Sequence, residues 1–294
     1  MKRGFLQPLA IVAVLGALAA AGLAQRGFRG GGFQRGGFGQ RVPERGVDPF
    51  DEVAKPRDGE FHFIRLEYTD LPQYHRGFGY SSRMGQGSGW WIVDWPAADN
   101  HFTSGLQRLT RMDVGDPRHF SLTDNKLFDY PWIYATQTGW WGLSKTEIAR
   151  LREYLLRGGY LMTDDFWSTD PAQWQVFATT MAQVLPGQPI TDLDLSDPER
   201  HVVYDIEEQD LTWIPGSRHL RRGTDGAITA VQPEGTQPAW KSMEDGNGHT
   251  VVAVNYNTDI GDAWEFADVP YYPEKMTALA YRYGVNYVVY AMTH

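Results

Sequence analysis

Short apolar runs with the texture of β-strands alternate along this chain with stretches whose apolar residues recur at helical spacing. Phe61-His62-Phe63-Ile64-Arg65-Leu66-Glu67-Tyr68 is β-rich and partly alternating, which predicts an opening strand. Trp90-Trp91-Ile92-Val93 is a second strand-like run, ending on Asp94. From Ala97 to Leu109, Phe102, Leu106 and Leu109 share one helical face. Trp132-Ile133-Tyr134-Ala135 follows Pro131 and reads as a buried strand. Ser144-Lys145-Thr146-Glu147 is a capping box, in which Ser144 can accept from the Glu147 amide while the Glu147 side chain reaches back. Ile148, Leu151 and Leu155 then mark a buried face, and Gly158-Gly159 ends that helix. Tyr160-Leu161-Met162-Thr163 is the next strand, running into Asp164-Asp165, with a helix through Trp174, Phe177 and Met181 behind it. Later strands are expected at Ala227–Val231 and Thr250–Val254, and a closing helix carries Met276, Leu279, Ala280, Tyr283, Tyr287 and Tyr290. Short uncharged strands alternating with helices predict a mostly parallel sheet covered on both faces. Right-handed crossovers then give an α/β fold, a three-layer α/β/α sandwich.

The first residues depart from this pattern. Lys2 and Arg3 precede an almost wholly apolar stretch from Leu6 to Leu23, and Gly22-Leu23-Ala24 places small residues where a signal peptidase cleaves. That layout predicts a signal peptide over 1–24 and a periplasmic or secreted location. A retained membrane helix is the competing reading, although the run is short of the roughly 20 residues that span a bilayer. Residues 25–58 open with repeated Arg-Gly-Phe units, which cannot bury enough apolar surface to fold, so a disordered tether is expected there. The remainder, 59–294, reads as a single domain, since no second linker interrupts it. The chain has no cysteine and a formal net charge of −9. Disulfides are therefore excluded, and an acidic body argues against nucleic acid as a partner.

Ligands of parallel sheets bind at the carboxyl ends of strands, which draws attention to Tyr134, Asp164 and Asp165. The two aspartates could serve as metal ligand, general base or acceptor for sugar hydroxyls; equally, one could cap the next helix and the other bond within the loop. Adjacent side chains there point in different directions, so one of the two is expected to face the crevice. Asp94, Trp95 and Asn100 form a second candidate group, since three tryptophans in six residues, with Trp140-Trp141 further on, could stack on sugar rings or pack the core. His201 could pair with an aspartate as acid, base or metal ligand, or make a structural hydrogen bond. Asn255, Asn257 and Asp259 close the last strand and could reach the same crevice. The glycine-rich loop Gly77 to Gly89 could cover it, but it lacks the lysine of a phosphate-binding loop. No zincin, zinc-finger or Gly-x-Ser-x-Gly spacing occurs. A cofactor is not implied; a divalent metal is an option that no motif demands.

The series Phe-Ile-Arg-Leu-Glu-Tyr, Trp-Trp-x-x-Asp-x-Pro, Tyr-Pro-Trp-Ile-Tyr, Leu-Arg-x-Tyr-Leu-x-x-Gly-Gly-Tyr-Leu-x-x-Asp-Asp and Gly-Asp-Ala-Trp-Glu resembles the bacterial domain-of-unknown-function family four-one-five-nine, from about Phe61 to His294. The resemblance implies a class I glutamine-amidotransferase-like, flavodoxin-like fold and no activity. In amidotransferases the strand after the glycine turn ends on a nucleophilic cysteine, whereas here Gly158-Gly159-Tyr160-Leu161-Met162-Thr163 leads to Asp164-Asp165. Without cysteine, glutaminase chemistry is excluded. The trehalose-utilisation-like branch of the fold has a histidine near that elbow and a later His-Pro-Ile, to which Asp164-Asp165 and His201-Val202-Val203 look like counterparts. Two functions follow as expectations. One is an exported, non-amidotransferase envelope module binding a glycan or a partner protein at the strand-end crevice. The other is a carbohydrate-active hydrolase or isomerase in which Asp164 or Asp165 works with His201.

Overall fold

The uncharged runs assemble into a central sheet, as side chains buried on both faces require. In the computed structural model of the chain, the described residues are 55–75 and 89–294. The expected signal peptide, nearly all of the expected tether, and most of the loop Gly77 to Gly89 lie outside them. Val53–His294 forms one compact unit.

In chain order the strands are β1 (Glu60–Phe61), β2 (Ile64–Glu67), β3 (Asp113–Val114), β4 (Arg118–Ser121), β5 (Trp132–Thr136), β6 (Tyr160–Asp164), β7 (Thr191–Asp192), β8 (Leu220–Arg222), β9 (Ile228–Ala230), β10 (Ala239–Glu244) and β11 (Thr250–Tyr256). The α-helices are α1 (Ala97–Leu109), α2 (Lys145–Leu156), α3 (Pro171–Val184), α4 (Ile260–Glu265) and α5 (Glu274–Thr293). Seven strands make the main sheet in the order β4-β2-β5-β6-β11-β10-β7. The first five are parallel, and β10 and β7 add an antiparallel edge. The fold is therefore mixed α/β with a mostly parallel central sheet.

Alternation along the strands builds two apolar layers. Trp132, Tyr134, Tyr160 and Met162 face one layer, together with residues of α1, α4 and α5. Ile133, Ala135 and Leu161 face the other, with α2 and α3. The first layer is aromatic: Phe63 meets Phe102, Trp132, Tyr134 and Trp264 with ring centroids 4.9–6.1 Å apart. Truncating a buried aromatic of this kind costs about 3–5 kcal/mol. The predicted capping box is present, with Ser144 Oγ accepting from the Glu147 amide at 3.2 Å and Glu147 accepting from the Ser144 amide at 2.7 Å.

Two expectations are corrected. The opening run is two strands rather than one, because His62 turns aside to bond the Asp116 carbonyl at 2.9 Å and β1 pairs with β3 outside the main sheet. Trp90–Ile92 is a 3₁₀ turn, not a strand, and the buried Arg65 guanidinium takes the Trp91 and Val93 carbonyls at 3.3 and 2.8 Å. The strand expected at Ala227–Val231 is present as β9, and it is the second arm of a β8–β9 hairpin apart from the main sheet, with Thr229 and Ala230 exposed. β4 and β10 went unforeseen, since their polar residues interrupt any apolar run.

Candidate functional site

The carboxyl ends of β5, β6 and β11 share an unusual exit. The next non-glycine residue in each case, Gln137, Asp165 and Asn257, has left-handed backbone with φ of 56°, 51° and 59°. Asp94, just ahead of α1, is the fourth such residue, with φ 66°. Left-handed backbone costs an L-residue roughly 1–2 kcal/mol, and such strain gathers at functional sites.

These exits bring polar side chains to one end of the sheet. Asp164 stays within β6, opposite Thr136 of β5, and is buried. Its Oδ1 accepts from the Tyr134 hydroxyl at 2.6 Å, and its Oδ2 from the amides of Ile260 and Gly261 at 2.7 and 2.9 Å. Burial pushes the carboxyl up to about 7, against the opposing pull of these hydrogen bonds. Asp165 points elsewhere. One oxygen accepts from the Trp167 indole at 2.6 Å and from Arg218 at 2.7 Å, and the other accepts from the Gln137 amide. Asp164 and Asp165 therefore diverge, as adjacent side chains should.

Beside them lies an acidic cluster. Asp259 caps α4, accepting from the Asp262 amide at 2.9 Å, and Asp262 accepts from the Ser217 amide at 2.6 Å. Asp94, Asp262 and Glu265 each offer a carboxylate oxygen, all within 4.8 Å of one another, and could together hold a metal ion. Asp94 Oδ2 and Asp259 Oδ2 are buried with no hydrogen-bond partner among the described residues. Burial, followed by the neighbouring carboxylates, pushes the Asp94 and Asp259 carboxyls well above the usual range. Burial and Asp165 raise Asp262 likewise. Gly261 permits the close approach: a Cβ there would stand 2.6 Å from the Tyr134 hydroxyl and 2.7 Å from Asp94 Oδ2.

An aromatic group adjoins this end. Trp140, on the loop after β5, lies 4.3 Å from the Tyr74 ring and stacks on Trp90 at 5.9 Å. All three are half-buried, whereas Trp91 and Trp141 are in the core. Trp90 is set by Asp70, which accepts from its amide.

Of the residues picked from sequence, Asp94, Tyr134, Asp164, Asp165 and Trp140 gather at the carboxyl end of the sheet. Asn255 is there too, but buried and engaged, donating to the Thr163 carbonyl at 3.2 Å and accepting from Tyr287 at 2.9 Å. Trp95 packs its edge on His119 at 5.1 Å, and Asn100 is half-buried in the first turns of α1. His201 is not brought to the site. It is exposed and bonds Asp205 and the Leu195 carbonyl at 3.0 and 2.6 Å. Its neighbour Glu199 bonds Tyr160, the first residue of β6. Asp164 is the last residue of that strand, about 13 Å away along the sheet. The acid–base pairing of His201 with Asp164 or Asp165 is thereby dropped. Sequence reading missed Gln137, Arg218, Asp262 and Glu265; the signal for the last two was the three-residue spacing of Asp259, Asp262 and Glu265, which sets them along one helical face.

The fold and this site define a mixed α/β protein with an acidic cluster at the carboxyl edge of a mostly parallel sheet. The chain belongs to the family described as Domain of unknown function (DUF4159), whose model matches residues 79–292. The match takes in the Trp90 turn and every carboxylate of the cluster, while β2 lies ahead of it. The search of curated proteins found no match. Among the described residues, no helix is long and apolar enough to cross a membrane.

Proposed function

We propose that this chain is an exported cell-envelope module, periplasmic or secreted, that binds a hydroxyl-rich ligand, a glycan, at the carboxyl edge of its sheet. The shell is read as class I glutamine-amidotransferase-like, with Asp165 standing at the elbow where those enzymes carry their nucleophile. What carries binding over catalysis is the state of that residue. Asp165 has left-handed backbone, is buried, and accepts from Gln137, Trp167 and Arg218, so three donors of the fold fix its carboxylate in place rather than leave it poised as a nucleophile. The catalytic alternative also loses its acid, His201.

The half-buried Trp140, Trp90 and Tyr74 supply aromatic faces on which sugar rings could stack, at the end of the sheet where the carboxylates gather. The leader-like residues 1–24 support the envelope location. Sedimentation of the full chain with insoluble envelope glycan tests the reading. The expected result is co-sedimentation that falls at least fivefold in Trp140→Ala while the melting temperature shifts little. Equal co-sedimentation of Trp140→Ala, or none by the parent chain, contradicts it. Asp165→Ala is a poorer probe, because it strands Arg218 and the Trp167 indole and so lowers stability as well.

A further inference from the structure

We propose that Asp94, Asp262 and Glu265 form a binding site for one hard divalent cation of the calcium, magnesium or manganese class. The inference deepens the reading of the strand-end crevice by giving it an ion. The geometry is the first support. Oxygens bound to one such ion lie 2.0–2.6 Å from it, so any two of them are at most about 4–5 Å apart. The three carboxylates offer oxygens within 4.8 Å of one another.

The second support is independent of that spacing. Asp94 is 4% exposed, and its Oδ2 has no hydrogen-bond partner among the described residues. A buried carboxyl oxygen left without a partner is costly, and this one lies within the trio of carboxylates. The cations at hand are committed elsewhere: Arg65 to Asp99, and Arg218 to Asp165, with Asp259 at 3.9 Å. Among the described residues, neither Asp94 nor Asp262 has an ion pair with a basic side chain. A metal ion would supply the missing positive charge.

The donor set decides the class. All three ligands are carboxylate oxygens, with no imidazole or thiolate, which suits hard cations over zinc or copper. The ligands are also held in place. Asp262 and Glu265 are one turn apart on α4, and the left-handed backbone at Asp94 turns its carboxylate toward them. Three carboxylates leave coordination positions open, and vicinal sugar hydroxyls could fill them.

Calorimetric titration of the chelator-stripped full chain with calcium, magnesium and manganese separately, with no glycan present, tests the site. The expected result is one ion bound per chain for at least one metal and a higher melting temperature in that metal. Asp94→Asn keeps the shape of the side chain and removes an anionic ligand, so it should fold at least as stably in chelator yet bind at least tenfold more weakly. Glu265→Gln, at the half-buried end of α4, provides a second variant expected to weaken binding. No saturable binding at millimolar metal, or unchanged affinity in both variants, overturns the site. Glycan binding that persists without metal binding removes the ion alone, and metal binding without glycan binding removes only the wider reading.

Discussion

The two ends of the sheet both bury polar groups, and they do so in opposite ways. At the amino end, Glu199 accepts from Tyr160 at 2.6 Å, and Arg200, also buried, donates to the Leu193 carbonyl at 2.8 Å. Burial pushes Glu199 up to about 8, so it sits as a neutral acid beside a tyrosine. These groups come mainly from one short turn, Pro198–Arg200, packed on β6 and α5. At the carboxyl end, Asp94, Asp164, Asp165, Asp259, Asp262 and Glu265 arrive from several segments, and left-handed backbone aims two of them. Burial raises carboxyl groups at both ends. Glu199 has one like-charged neighbour, Asp197, whereas at the carboxyl end several carboxylates crowd one another and strained backbone holds them there. Among the described residues both ends leave buried polar atoms unpartnered, Glu199 Oε1 and two Arg200 nitrogens at the amino end and Asp94 Oδ2 and Asp259 Oδ2 at the carboxyl end. What sets the carboxyl end apart is several carboxylates gathered on strained backbone.

The largest expected effect comes from Arg65, which anchors the carboxyl end from below. It pairs with buried Asp99, with one contact at 3.0 Å, and lies 4.8 Å over the Tyr134 ring. Arg65→Met should destabilise by about 3–5 kcal/mol in urea unfolding, since Asp99 would be left buried and uncompensated. A loss below 1 kcal/mol would show that the pair is not what holds α1 to β2. Next, Tyr134→Phe removes the hydroxyl on Asp164 and should cost about 1–3 kcal/mol. Proton uptake by Asp164 should also move to higher pH, which carboxylate NMR titration can follow.

The amino end gives a smaller effect, with its own pH window. The Glu199 carboxyl is raised in the fold, so its stabilising contribution is complete below the ordinary glutamate value of 4.5 and is lost as pH rises toward about 8. Glu199→Gln should flatten that part of the stability–pH curve while changing stability near pH 5 by less than about 1 kcal/mol. A slope in the variant equal to that of the parent would place the titration elsewhere. The smallest effect is on metal-free stability at the carboxyl end. There Asp94→Asn should be neutral or slightly stabilising, and a large loss would mean that Asp94 has a structural partner.

Much of the sheet was legible because its strands obey one rule. Trp132–Thr136 and Tyr160–Asp164 are apolar at consecutive positions, as strands buried on both faces must be, and the helices between them carry clear caps. β4 and β10 were hidden because an edge strand and an antiparallel strand need only one apolar face. The Trp90 run misled because its carbonyls are taken by Arg65, a side chain 26 and 28 residues upstream of them that no local pattern reveals. The site was half legible. Position at a strand end found Tyr134, Asp164 and Asp165, while Arg218 reaches Asp165 from a turn whose place in the fold is set by tertiary packing. His201 was chosen as a lone histidine, and a residue type without a placement rule lands anywhere.

The account rests on the carboxyl end of the sheet being the working end. Hydrogen–deuterium exchange of the full chain, with and without soluble envelope glycan fragments, reads both ends at once. The account predicts added protection at residues 137–141, 165–168 and 257–265, and no change at 198–206. Protection confined to 198–206, or none anywhere at saturating glycan, would contradict it.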